Sequence, residues 1–142
     1  MKDPIEIRGL ADTRLNEADL LCANGYCDGA FYLGGYAVEL YLKARICEIV
    51  DVKNLYVSSQ VKDTDLSRTF YTHKLDRLLL LSGLYTIFEN ERKRNPALVQ
   101  DWSIVSKWTE AKRYDASGTN QHSEASQFIN SVKAMLQWIR SH

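Results

Sequence analysis

Glu39 and Lys43 stand four residues apart in an otherwise mostly apolar run, Asp28-Gly29-Ala30-Phe31-Tyr32-Leu33-Gly34-Gly35-Tyr36-Ala37-Val38-Glu39-Leu40-Tyr41-Leu42-Lys43-Ala44-Arg45-Ile46-Cys47. A carboxylate set among apolar neighbours needs a partner, because an unpaired charge away from water is costly. Glu before Lys at this spacing is the favourable order for a helix pair. The helical neighbours Tyr32, Gly35, Tyr36, Leu42 and Ile46 place Glu39 at least partly inside. Two readings stay open. The pair is a structural ion pair reaching toward Arg113, or it is a polar centre lining a ligand groove. A buried ion pair rarely improves on an apolar pair of similar volume, which leaves room for a functional role.

Three histidines and several arginines supply the remaining acid–base and anion chemistry. His73 falls where a helix should begin, and the positive end of a helix favours neutral imidazole. Such a ring could act as general base toward a ribose hydroxyl, with Arg68 or Arg113 stabilising the charge of a phosphorane. The plainer reading makes His73 a helix cap. Arg113 and Tyr114 are expected to close a helix, where an Arg either complements the helix C-terminus or grips phosphate through its fork of donors. His122 stands in a polar stretch as a solvated residue or a ligand contact, and His142 is given no role. Glu91-Arg92-Lys93-Arg94 reads as a solvated helix end. Trp102, Trp108 and Trp138 fit core spacing, with base stacking as the minority role.

The bulk numbers bound the class. A chain of 142 residues fits one domain, 1–142, with room for a core that needs no staples. Zero formal net charge argues against a protein that coats nucleic acid through a basic field. Cys22, Cys27 and Cys47 are odd in number and fall in predicted helices, which suggests free thiols in a reducing cytosol. No second Cys/His pair has ligand spacing, so no metal is expected. The first residues lack an apolar signal region, and no run is long and charge-poor enough to cross a bilayer. The expectation is a cytoplasmic protein with no membrane segment.

Helical periodicity dominates the chain, and strand-like alternation is confined to Leu55-Tyr56-Val57. Helices are expected over about residues 10–24, with Gly25 as the stop, and 28–50, with Phe31, Val38, Leu42, Ile46 and Ile49 on a buried face. Gly34 and Gly35 weaken that helix, each by up to ~1 kcal/mol, so another backbone is expected to approach closely there. Residues 51–71 read as a long polar connection. A third helix starts with Thr72 as N-cap and ends near Gly83, and a short piece follows to Arg94. Asn95-Pro96 starts a helix that carries Leu98, Trp102, Val105 and Trp108 or Thr109 on one face and runs on into Arg113-Tyr114-Asp115. The last helix starts near 120–123 and buries Phe128, Val132, Met135 or Leu136, and Ile139. The predicted fold is all-α: an antiparallel bundle of four main helices plus one or two short ones.

The order of these segments resembles the HEPN domain, a small prokaryotic helical domain. Three stretches carry the resemblance: Gly29 to Ala44 with its Glu and Lys, Thr72-His73-Lys74-Leu75-Asp76-Arg77-Leu78-Leu79, and Trp102 through Trp108 to Arg113-Tyr114-Asp115. The resemblance implies a homodimer, often encoded beside a minimal nucleotidyltransferase in a toxin–antitoxin or defence module, and no cofactor. Some relatives are metal-independent endoribonucleases that carry an Arg, four to six residues, then a His. Arg68 to His73 meets that spacing but lies before the third helix, whereas the motif belongs before the last. Arg113 and His122 have eight residues between them, too many. The expectation is therefore a module that binds a nucleotidyltransferase partner, nucleotide or RNA without a clear catalytic motif. The alternative is an endoribonuclease using an Arg/His pair. Glu39, Lys43, Arg113, Tyr114 and His122 are the candidate ligand contacts, and His73, Arg68 and Arg113 the candidate catalytic groups.

Overall fold

Capping chemistry sets where the first helix begins. In the computed structural model, which describes residues 3–56 and 64–142, the Asp3 carboxylate accepts from the Glu6 amide at 2.9 Å and Pro4 occupies the first turn. These start α1, Pro4–Ala23, six residues ahead of the expected position. Gly25, at φ +83°, turns the chain, and α2, Cys27–Ile49, folds back along α1. The other helices are α3 (Thr64–Phe70), α4 (Leu75–Leu81), α5 (Tyr85–Arg92), α6 (Pro96–Val105) and α7 (His122–Arg140), with a 3₁₀ turn at Glu110–Tyr114 between the last two. All regular structure among the described residues is helical. Leu55 and Tyr56 form a turn, and Val57 lies outside the described residues.

α2 is the central rod. It packs against α1 on one side and α7 on another, and it also meets α4 and the 3₁₀ turn. Its buried residues run round much of its circumference, from Ala30 through Val38 and Leu42 to Ile46. α7 is more one-sided, and Phe128, Val132, Met135, Leu136 and Ile139 are all buried, as its spacing predicts. α6 packs on α7 and buries Leu98, Trp102 and Val105. Trp138 is only half-buried and donates its indole N–H to Glu91 at 2.6 Å. The architecture is therefore three long helices, α1, α2 and α7, covered by shorter ones. None of the helices among the described residues is long and apolar enough to cross a membrane.

Four expectations are corrected. The connection 51–71 contains α3, while residues 57–63 lie outside the described ones. Thr72 does not cap α4; its hydroxyl accepts from the Lys74 amide at 3.1 Å in a local turn, and the helix starts at Leu75. The helix from Asn95-Pro96 stops at Val105 instead of running into Arg113. Trp108 explains the stop: it leaves the helix line and lays its ring on Gly35, where an added Cβ would sit 2.2 Å from the indole. The close approach at the two glycines is accordingly made by side chains, not by another backbone. Trp108 fills the space at Gly35, and Ile129 with Phe128 of α7 fills that at Gly34.

Candidate functional site

The helical repeat of α2 puts Tyr32, Tyr36, Glu39 and Lys43 on one stripe, at spacings of four, three and four. At its Glu39–Lys43 end the stripe meets the segment before α4. Glu39 is 2% exposed, and a single oxygen, Oε1, receives both Lys43 Nζ at 2.6 Å and His73 Nδ1 at 2.8 Å. Two donors on one oxygen match an ionised carboxylate, which requires the Nδ1–H tautomer of His73. Lys43 is nearly buried and His73 is half exposed, so the cluster runs from the interior to the surface. His73 precedes α4 by two residues and does not stand in its first turn. The carboxylate, and not the helix dipole, orients the ring. Its Nε2 has no partner among the described residues.

The cluster lines a recess of about 200 Å³ with Ile7, Tyr36, Leu40, Asn54 and Tyr56. The Lys43 ammonium stands 4.7 Å from the centroid of the Tyr56 ring, a cation–π contact that helps hold the charge inside. The Tyr56 hydroxyl is buried without a hydrogen-bond partner among the described residues. A buried donor in that state costs about 1–3 kcal/mol unless something satisfies it. Burial pushes the Tyr56 phenol well above its ordinary value, with smaller contributions from the nearby Cys47 and Glu39. Burial also raises the Tyr36 phenol, with Glu39 as the next cause. Both phenols therefore stay protonated at neutral pH, the Tyr56 hydroxyl being closed off from solvent. Below the recess, the Cys47 thiol accepts from the Leu55 amide at 3.4 Å, and burial raises its titration.

The other predicted residues lie elsewhere. Arg113, on the 3₁₀ turn, lies near the Tyr32 phenol and stands 4.8 Å from the Tyr114 ring centroid. The nearby Tyr114 and then Tyr32 phenols hold its guanidinium above the ordinary value. Tyr32 is seven residues before Glu39, about 10 Å along the rod, so Arg113 is at the far end of the stripe and forms no ion pair with Glu39. Tyr114 is exposed. Arg68 is exposed on α3 and shares a shallow groove with Arg77, Leu80 and Leu81, away from the recess that His73 lines. His122 opens α7 beside Asp19, Cys22 and Ser126, on a third surface. The structure thus unites Glu39, Lys43 and His73, and separates Arg68, Arg113, Tyr114 and His122 from them.

Tyr56 and Asn54 were not among the expected contacts. Nothing local marks them, since they reach the recess only because the chain after α2 folds back over that helix. Tyr36 did carry a signal, three residues before Glu39 on the same helical face.

No family model matches the chain, and neither a curated protein nor a solved structure does.

Proposed function

We propose that this chain is a HEPN-type helical module that binds a nucleotide or single-stranded RNA at the recess around Glu39. One observation supports it above the others: a buried carboxylate gathers a cation and an imidazole at the wall of an opening flanked by Tyr36 and Tyr56. Phenol rings offer a stacking face, Lys43 offers positive charge, and the protonated Tyr36 phenol offers a donor to a base edge or phosphate. A recess of about 200 Å³ suits one base or one phosphate, with the rest of the ligand outside. On this reading the protein works in a cytoplasmic toxin–antitoxin or defence module, as a homodimer, with a nucleotidyltransferase as partner.

A second reading, a metal-independent endoribonuclease, draws on the orientation of His73. A carboxylate-held imidazole with a free Nε2 at the surface is suited to take a proton from a ribose hydroxyl. Its cation would be Lys43, since neither Arg68 nor Arg113 shares the recess. Titration of mononucleotides and short RNAs into the labelled protein, followed by NMR, tests the first reading. Incubation of the same RNAs with protein and chelator tests the second. Saturable shifts at Tyr36, Lys43 and His73 without cleavage support the binding module. Cleavage that disappears in His73→Ala supports the nuclease. Shifts at none of these residues, with intact RNA, reject both.

A further inference from the structure

Tyr41, Arg45 and Glu48 form a second stripe on α2, at spacings of four and three. Arg45 follows Lys43 by two positions, and Tyr41 follows Glu39 by two. Two positions are about 200° of helical rotation, so this stripe faces away from the Glu39 recess. It lines a separate recess of about 200 Å³, to which α1 adds Arg8 and α7 adds Arg140, with His142 just after it.

Three guanidinium groups converge there from three helices. Two have carboxylate partners: Arg8 pairs with Glu48, which itself lines the recess, and Arg140 pairs with Asp12 at 2.6 Å while its Nε donates to the Tyr41 hydroxyl at 2.9 Å. These carboxylates are well exposed, and exposed ion pairs hold their partners weakly. Arg45 differs. It is partly buried, its Nε donates to the Ser82 carbonyl at 3.0 Å, and it has no carboxylate partner among the described residues. Its terminal amino groups make no hydrogen bond within the described protein. A partly desolvated guanidinium without a counter-charge is costly to maintain for structure alone.

We infer that this recess is an anion site for a phosphate group, either inorganic phosphate or the phosphate of a small nucleoside monophosphate. Arg45 is the primary contact through its fork of donors, and Arg8 swings from Glu48 to add a second. Phosphate suits the site better than a carboxylate because three oxygens can meet donors arriving from three helices. The Tyr41 hydroxyl is already engaged with Asp12 and Arg140 and keeps the latter in place.

The test titrates the labelled full chain at fixed ionic strength with sodium phosphate, AMP and adenosine in separate arms, read by NMR shifts of backbone amides and arginine Nε–H groups. Saturable shifts at Arg8, Arg45 and Glu48 are expected with phosphate and AMP, and none with adenosine. Equal affinity for the first two assigns the site to the phosphate alone, and tighter AMP binding assigns it to the nucleotide. Arg45→Gln should weaken binding at least about tenfold, the loss of charge-assisted bonds. Arg8→Gln, a change at a partly exposed side chain outside the apolar core, should weaken it severalfold and decides the matter if the Arg45 variant is misfolded. Shifts that never saturate, or affinity unchanged in a folded Arg45→Gln protein, overturn the inference. So does unchanged affinity in Arg8→Gln when the Arg45 variant does not fold.

Discussion

Cutting the Glu39–Lys43 pair one residue at a time should do more harm than removing both. Glu39→Gln leaves the Lys43 ammonium, 11% exposed, with a neutral amide in place of its carboxylate. Breaking a buried pair from one side costs about 3–5 kcal/mol. The Gln carbonyl still accepts a bond, so about 2–4 kcal/mol is expected here. Lys43→Met leaves Glu39 buried, but His73 still donates to the same oxygen, so this loss should be smaller, about 1–3 kcal/mol. The double variant Glu39→Leu with Lys43→Met replaces both charges with apolar groups of similar volume. It should recover to within about 1 kcal/mol of the parent, because desolvation of both ions is no longer required. Only the half-exposed His73 loses its anchor, and water can serve it. Urea unfolding monitored by tryptophan fluorescence gives the three differences, and domains of this size have only about 5–15 kcal/mol to lose. Single variants within about 0.5 kcal/mol of the parent, adding up simply in the double, would refute the account of a tightly coupled interior pair. The recovered double variant should at the same time lose ligand shifts at the Glu39 recess, which separates a functional reason for the pair from a structural one.

Gly35→Ala should destabilise the fold by about 1–3 kcal/mol even though alanine favours a helix by about 1 kcal/mol, because its methyl would meet the Trp108 ring at 2.2 Å. Gly34→Ala meets the flexible end of Ile129 at 2.8 Å and the Phe128 ring edge at 3.2 Å, a lesser clash than at Gly35, and should cost less; the reverse order in thermal melts would contradict the packing described. Asp28 accepts from the Gly118 and Asn120 amides and the Asn120 side chain, which hold its carboxyl below the ordinary value of 3.8. A group depressed in the folded state contributes stability above its unfolded value, and that contribution is lost as pH falls through the folded one. The amide shifts of Gly118 and Asn120 should therefore titrate with a midpoint below 3.8, and a midpoint at or above it would count against the clasp.

What was legible in the sequence was what neighbours along one helix decide. The Glu39–Lys43 pair is such a case, since four residues of helix bring the two together whatever the rest of the chain does. The buried face of α7 is another. What depends on contacts between distant segments was not legible. His73 finds Glu39 because the chain before α4 crosses α2, and no spacing announces that. Trp108 fits helical periodicity with Trp102 and Val105, so it reads as a continuation of α6. Its actual place is set by the missing side chain at Gly35, which lies 73 positions earlier. That break carries Arg113 to Tyr32 and away from the acid–base cluster. The all-helical class was readable throughout, and the corrected boundaries are those where a polar connection or an aromatic residue yielded to tertiary contacts.

The shared acceptor on Glu39 makes its two partners unequal in what their departure does. If His73 swings outward, Lys43 still balances the negative charge, so the imidazole is a detachable latch on a site that stays electrically closed. If Lys43 left instead, no other cation on the rod could take its place. Under the proposed binding function, a ligand would therefore recruit the ring at modest expense and pull on the segment leading into α4, while the root of the cluster stays where it is.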